Sequence, residues 1–257
     1  MRKFLGLGLF FIVCLAIGLA LNMPLVHVLA EVKLPANIRV SNFNGTILKG
    51  RIDVLEVNNL QATGLQYRNK PACVFTLKWC YHLVFDQGEV SASANALDQT
   101  VTLTNSNLEY PVGQVVTMFP GLLVKPTGDL EVIIDHLTMK EKKLSLESGS
   151  VIWKNAGVEG ESIDLGEYRL SAALSKQVYN FTVRDNNALL KIDGKGVLKS
   201  NGQYNLDIKI ESEPGLQNSI KTALEFVAKK RGLNQYSVSQ RGTIQQRVIS
   251  QLSFGQS

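Results

Sequence analysis

Residues 204–211 read Tyr-Asn-Leu-Asp-Ile-Lys-Ile-Glu, and their alternation sets the fold class. Tyr204, Leu206, Ile208 and Ile210 fall on one side of an extended chain, and Asn205, Asp207, Lys209 and Glu211 on the other. A helix would scatter both sets around its circumference, so the octet predicts a strand with one dry and one wet face. The same period runs outward in both directions. Tyr168, Leu170, Ala172 and Leu174 make one such face. Tyr179, Phe181 and Val183 make the next, and Leu190 and Ile192 return after a turn at Asp185-Asn186-Asn187. Further upstream, Leu130, Val132 and Ile134 alternate with Asp129 and Glu131. Leu144 and Leu146 follow a charged turn at Lys140–Lys143. Val90 to Ala96 and Thr100 to Thr104 read as a hairpin around Asp98-Gln99, and Ile52, Val54 and Val57 open the first run. The expected fold is mainly β, an antiparallel meander of about a dozen or more strands.

Two stretches carry helical spacing instead. Val112, Val115, Val116 and Phe119 predict a short helix over 111–119, closed by Pro120-Gly121. In Pro214–Arg231, Leu216, Ile220, Ala223, Leu224 and Val227 share one face. Pro214 suits a first turn, and Lys229, Lys230, Arg231 and Gly232 suit a C-terminus. Such an amphipathic helix covers an open sheet.

The start of the chain is of another kind. Phe4 to Leu21, FLGLGLFFIVCLAIGLAL, is free of charge. As a helix it spans about 27 Å, near the roughly 30 Å hydrocarbon core of a bilayer. Arg2 and Lys3 precede it and no Lys or Arg follows until Lys33, which predicts a cytoplasmic N-terminus. A cleaved signal peptide is the alternative. Val28 and Ala30 fit a cleavage pattern but lie well past the apolar run, so an uncleaved anchor is expected. The predicted organisation is a cytoplasmic N-terminus at 1–3, a transmembrane signal-anchor at 4–21, an exit linker at 22–35 and a periplasmic β-rich domain at 36–257.

Composition narrows the functions. The net formal charge of +5 drops to +3 without Arg2 and Lys3, and acidic and basic residues are interleaved. Nucleic acid is not an expected partner, because phosphate tracking needs a basic stripe. His27, His82 and His136 are far apart and form no H-x-x-x-H pair; each is expected to be buried and hydrogen-bonded. No zinc spacing and no G-x-S-x-G elbow occurs. Gly45 to Gly50 and Gly194-Lys195-Gly196 read as turns or bulges rather than phosphate loops. No catalytic, cofactor-binding or metal residue is expected, and no cofactor. Cys73 and Cys80 remain open. An oxidising compartment favours a disulfide, but on one straight strand they would face opposite sides about 23 Å apart, with no Gly or Pro between them.

Several phrases in order resemble the type II secretion system protein N family, also called general secretion pathway protein N. They are the N-terminal anchor, FNGTILKG (43–50), FPGLLVKPTGDLEV (119–132), GSVIWKNAGV (149–158), LGEYRL (165–170), LLKIDGKGVL (189–198) and the strand Tyr236 to Gly242. The resemblance implies a single-pass inner-membrane protein with its bulk in the periplasm. It implies an accessory structural part of the machinery that exports folded proteins across the outer membrane. Its partners would be other secretion-system components, and inner-membrane lipid through Phe4 to Leu21. No catalytic residues come with it. The family is also similar to AsmA-like periplasmic proteins, whose sheets curl into an apolar groove. The alternative function is therefore periplasmic lipid binding or transfer.

Overall fold

The computed structural model describes residues 22–24, 38–57, 60–116, 125–141, 143–160, 164–213, 216–244, 249 and 252–254. The anchor Phe4 to Leu21, His27 and Pro120-Gly121 lie outside the described residues, as does Pro214. Among those described, fourteen strands dominate, with few helices, and the strand order does not close on itself. The chain divides into two compact units, Met1–Glu89 and Val90–Ser257.

In the first unit, β1 (Ile38–Gly45), β2 (Lys49–Val57), β3 (Leu60–Asn69) and β4 (Lys78–Phe85) pair in sequence, all antiparallel. The 43–50 phrase is the β1–β2 hairpin: Gly45 faces Gly50, and the Thr46 amide donates to the Lys49 carbonyl at 2.8 Å. Gly45 has φ +127°, and a Cβ there would stand 2.4 Å from the Gly50 Cα, so glycine is required on both counts. Two hydroxyls fasten the turn: Tyr67 donates to the Thr46 carbonyl at 2.6 Å and Tyr81 to the Ile47 carbonyl at 3.1 Å. Pro24, within the expected exit linker, bridges Thr46 on the same hairpin.

The second unit holds β5 (Gly88–Asn95) from Val90 onward, β6 (Thr100–Pro111), β7 (Pro126–Lys140), β8 (Lys143–Val158) and β9 (Gly166–Ser175). They are followed by β10 (Val178–Asn186), β11 (Leu190–Lys199), β12 (Gln203–Ser212), the two-residue β13 (Lys229–Lys230) and β14 (Gln235–Thr243). Strands β5 to β12 stand in sequence order, then β14 lies beside β12 and β13 forms the edge. Two helices accompany them, α1 (Val112–Val116) and α2 (Asn218–Val227).

Four expectations change. Strand β6 continues past Thr104 to Pro111, carried through a break at Asn105, whose φ is +46°. Helix α2 spans Asn218–Val227 rather than 214–231, and Lys229 and Lys230 belong to an edge strand. A basic run fits a helix C-terminus and an exposed edge equally well. Val227 does not share the buried face: it is 70% exposed, whereas Leu216, Leu224 and Ala228 are buried. Finally, Gly194 and Gly196 are neither turn nor bulge but lie in unbroken register inside β11. A Cβ on Gly194 would come to 3.0 Å from Ile208 and 3.3 Å from Val183, because their branched side chains fill the apolar face above it.

Candidate functional site: a half-covered apolar face

Cross-strand register in the second unit aligns apolar residues into rows. One row runs Leu108, Val132, Val151, Leu170, Val183, Gly194, Ile208, Val238 across β6 to β14. A parallel row runs Tyr110, Leu130, Trp153, Tyr168. These residues share one face because cross-strand partners point the same way.

The face is covered unequally. At one end Leu224 of α2, with Leu216 just before the helix and Ala228 just after it, packs over Ala156, Leu165, Tyr168, Leu190, Ile210 and Tyr236, and all of these are buried. Each large side chain fully removed from water there is worth roughly 1.5–3 kcal/mol. Burial pushes the Tyr168 hydroxyl up to about 12, and it donates to the Leu165 carbonyl at 3.0 Å. Trp153 packs beside it at 6.0 Å between ring centroids, with its indole N–H on the Thr127 carbonyl at 2.9 Å. The ring with one donor thus finds a polar partner at the sheet surface.

A second cover is made by residues near the C-terminus. Ile249 and Phe254 pack with Tyr179, Leu198 and Tyr204. The Tyr179 hydroxyl donates to the Ser253 carbonyl at 2.8 Å and accepts the Leu146 amide at 3.1 Å. Between the two covers, Leu108, Val132, Val151 and Val183 are only half-buried, and Leu170 is 41% exposed.

The opposite face is polar. Lys154 Nζ lies 3.0 Å from Glu131 and 3.4 Å from Glu109, and Asn107 donates to Glu131 at 2.9 Å. The Lys154 ammonium first, then the Asn107 amide, hold the Glu131 carboxyl below its usual range. Further along, register sets Lys191 against Glu211, Asp193 against Lys209 and Lys195 against Asp207. This checkerboard of opposite charges is a solvated surface, and Asp129 and Glu131 belong to it without forming an acid–base pair.

His82 and His136 are not buried as expected. Both are partly exposed and stand 3.7 Å from Glu89 and 3.6 Å from Glu147 respectively, because each lies on the wet side of its strand. No group of three or more His, Cys, Asp or Glu among the described residues is placed to hold a metal ion. The Cys73 and Cys80 sulfurs stand 2.09 Å apart, with Cα atoms at 5.9 Å. The objection from strand geometry does not apply, since a 3-10 turn over Pro71–Thr76 and Leu77 at φ +57° reverse the chain between them. The feature that residue reading missed is the gap between the two covers. Its signal lay in the length of the alternating pattern, far more sheet than one ten-residue helix can roof.

The antiparallel sheet is thus unclosed, with an apolar, half-roofed face and a charge-paired outer face. A family model described as type II secretion system, protein N, matches residues 36–239. The chain belongs to the type II secretion system protein N family, which comprises a structural component of that protein-transport machinery and is generally associated with the inner membrane. No curated protein and no solved structure matches the chain. No helix among the described residues is long and apolar enough to cross a membrane.

Proposed function

We propose that this chain is an accessory structural component of the type II secretion apparatus, tethered in the inner membrane by Phe4 to Leu21. In this reading residues 36–257 work in the periplasm during export of folded proteins across the outer membrane. The family match over 36–239 carries the reading. The uncharged run after Arg2 and Lys3 supports the tether. Tethering raises the local concentration of the β-rich part beside a membrane-bound machine. The partners are other components of that machine.

The test is a deletion strain in which folded substrates are followed through the envelope. The expected result is their accumulation in the periplasm, with folding and inner-membrane passage unchanged; undiminished secretion would overturn the proposal. A reporter fused after Ser257 should be active in the periplasm, and a mature protein beginning at Glu31 would replace the anchor with a cleaved signal. In that compartment the Cys73–Cys80 bridge forms. Thiol alkylation of whole cells without reductant should leave both cysteines unmodified, and their labelling would refute the bridge.

The uncovered middle of the apolar face favours a second reading, periplasmic lipid binding. It predicts phospholipid in stoichiometric amounts by mass spectrometry of full-length protein purified in a non-phospholipid detergent. A deletion strain with intact secretion and disturbed envelope lipid would put this reading first.

A further inference from the structure

Strand β14 is paired along its whole length on one side and almost nowhere on the other. Against β12 its register runs without a break from Gln235 to Thr243. Against β13 only Tyr236 and Ser237 are paired, because the chain enters β13 directly from α2 and supplies just Lys229 and Lys230. The Ser212 amide donates to the Asn234 carbonyl at 2.9 Å and the Ile244 amide to the Gly202 carbonyl at 2.9 Å. In an antiparallel ladder these bonds fix which residues face inward. The even-numbered residues of β14 bond to β12, so Ser239, Arg241 and Thr243 turn their N–H and C=O outward. No strand among the described residues meets them. The free edge is about 20 Å long. It has neither of two common guards of an exposed edge, a proline or a bulge.

The two sides of this edge differ in chemistry. On the wet side stand Lys229, Arg231 and Arg241, beside Ser237 and Ser239. Arg231 bonds the Ser237 hydroxyl at 2.9 Å and Arg241 the Asn205 side chain at 3.1 Å. Neither they nor Lys229 forms an ion pair among the described residues, whereas Lys230 is taken by Glu225 at 2.7 Å. One strand inward, Lys209 adds positive charge, Glu211 opposes it, and Asp207 is held by Ser239 and Asn205. The balance at the edge is basic. Val238 and Val227 line a groove of about 330 Å³ together with Gln240 and the wet-side Lys229, Arg231, Ser237 and Ser239, so apolar and basic groups meet in one place beside the edge. Phe226, next to Val227, is 91% exposed, and Leu233, in the turn before β14, is 90% exposed.

We propose that the outer edge of β14 takes up an extended segment of a partner protein in which acidic and apolar residues alternate. The partner's backbone completes the ladder at Ser239, Arg241 and Thr243. Its acidic side chains meet Lys229, Arg231 and Arg241, and its apolar ones extend the dry face over Val238 and Val227. A second copy of this chain fits poorly, because a symmetric pairing brings the same basic residues to one shared face. The proposal stands whether the wider role is secretion or lipid binding.

The probe is a fluorescent eight-residue peptide of alternating Glu and Val, with an alternating Lys–Val peptide as its control. Both are titrated into full-length protein in detergent and followed by anisotropy. Saturable binding of the Glu–Val peptide, at least tenfold tighter than the Lys–Val peptide, is expected. Ser239→Pro removes one outward N–H, and the Ser239–Asp207 side-chain bond with it, while leaving the backbone bonds to β12 in place, and should weaken binding at least tenfold. Lys229→Glu combined with Arg241→Glu should invert the preference between the peptides, a readout that remains if the proline variant fails to fold. Equal binding of both peptides, or an unchanged preference in the charge-reversed protein, overturns the proposal. So does a concentration-dependent dimer that Ser239→Pro abolishes, which would give the edge to a second copy.

Discussion

Ile210 and Leu170 sit on the same apolar face, on strands that alternate equally well, yet one is buried beneath α2 and the other is 41% exposed. Alternation records which side of the sheet a residue takes, not what lies over it. At the covered end, burial is shared among side chains from α2, β8, β9, β11, β12 and β14, so each holds its neighbours in place. In the middle the same kind of residue is half-buried or exposed and belongs to neither buried cluster, and its strands are joined by their ladder. The covered end is a core, and the middle is an available surface.

Four measurements break or sharpen that contrast, each on full-length protein in detergent. The largest effect is expected from a charge placed under α2. Ile210→Asp should cost about 4 kcal/mol or prevent folding, whereas Leu170→Asp in the open middle should cost about 1 kcal/mol in urea titrations. Equal losses would mean that the middle is covered after all. Leu224→Ala strips the cover itself and should cost about 2–4 kcal/mol, because the buried leucine leaves a cavity against the sheet. A loss below about 1 kcal/mol would show that α2 packs loosely.

Tyr179→Phe tests the second cover by removing both of its hydrogen bonds while keeping the ring against Phe254. About 1–2 kcal/mol is expected, together with faster proteolysis after residue 243. The smallest effect concerns the polar face. The Lys154 ammonium keeps the Glu131 carboxyl below the usual 4.5, so its contribution is complete above that pH and fades as pH falls through the lowered value. Glu131→Gln should cost only about 0.5 kcal/mol at pH 7, and the difference from the parent should vanish in acid. A cost that grew in acid would contradict the pairing with Lys154.

Much of the strand content was legible from period two, and β1 and the second half of β6, where it was not, share a cause. Asn42, Asn105 and Asn155 lie inside strands with φ of 51°, 46° and 49°. Asparagine tolerates that conformation and commonly marks turns, so strands interrupted by it look like shorter strands or loops. That hid β1 altogether and shortened β6 by half. The Lys229–Arg231 run misled for a different reason: such charges suit a helix C-terminus and a strand edge equally, and here they follow α2 and begin the edge strand. The fate of Cys73 and Cys80 depended on Leu77 taking φ +57°, which a leucine gives no reason to expect. The open apolar middle was legible only in part: the alternating pattern is far longer than one ten-residue helix can roof, but alternation carries no record of which stretch stays uncovered.

The C-terminal residues seated on Tyr179 have a consequence in time. Within each unit nearly every strand pairs with one adjacent in sequence, so most of the ladder can form in the order in which the chain is made. Two features wait: β14 must bypass β13 to reach β12, and Ser253 must return to a hydroxyl seventy-four positions earlier. Until that contact closes, Tyr179, Leu198 and the residues packed around them lack their C-terminal cover. The seating of Ser253 on Tyr179 therefore separates an early, more accessible form of the sheet from a late, partly sealed one.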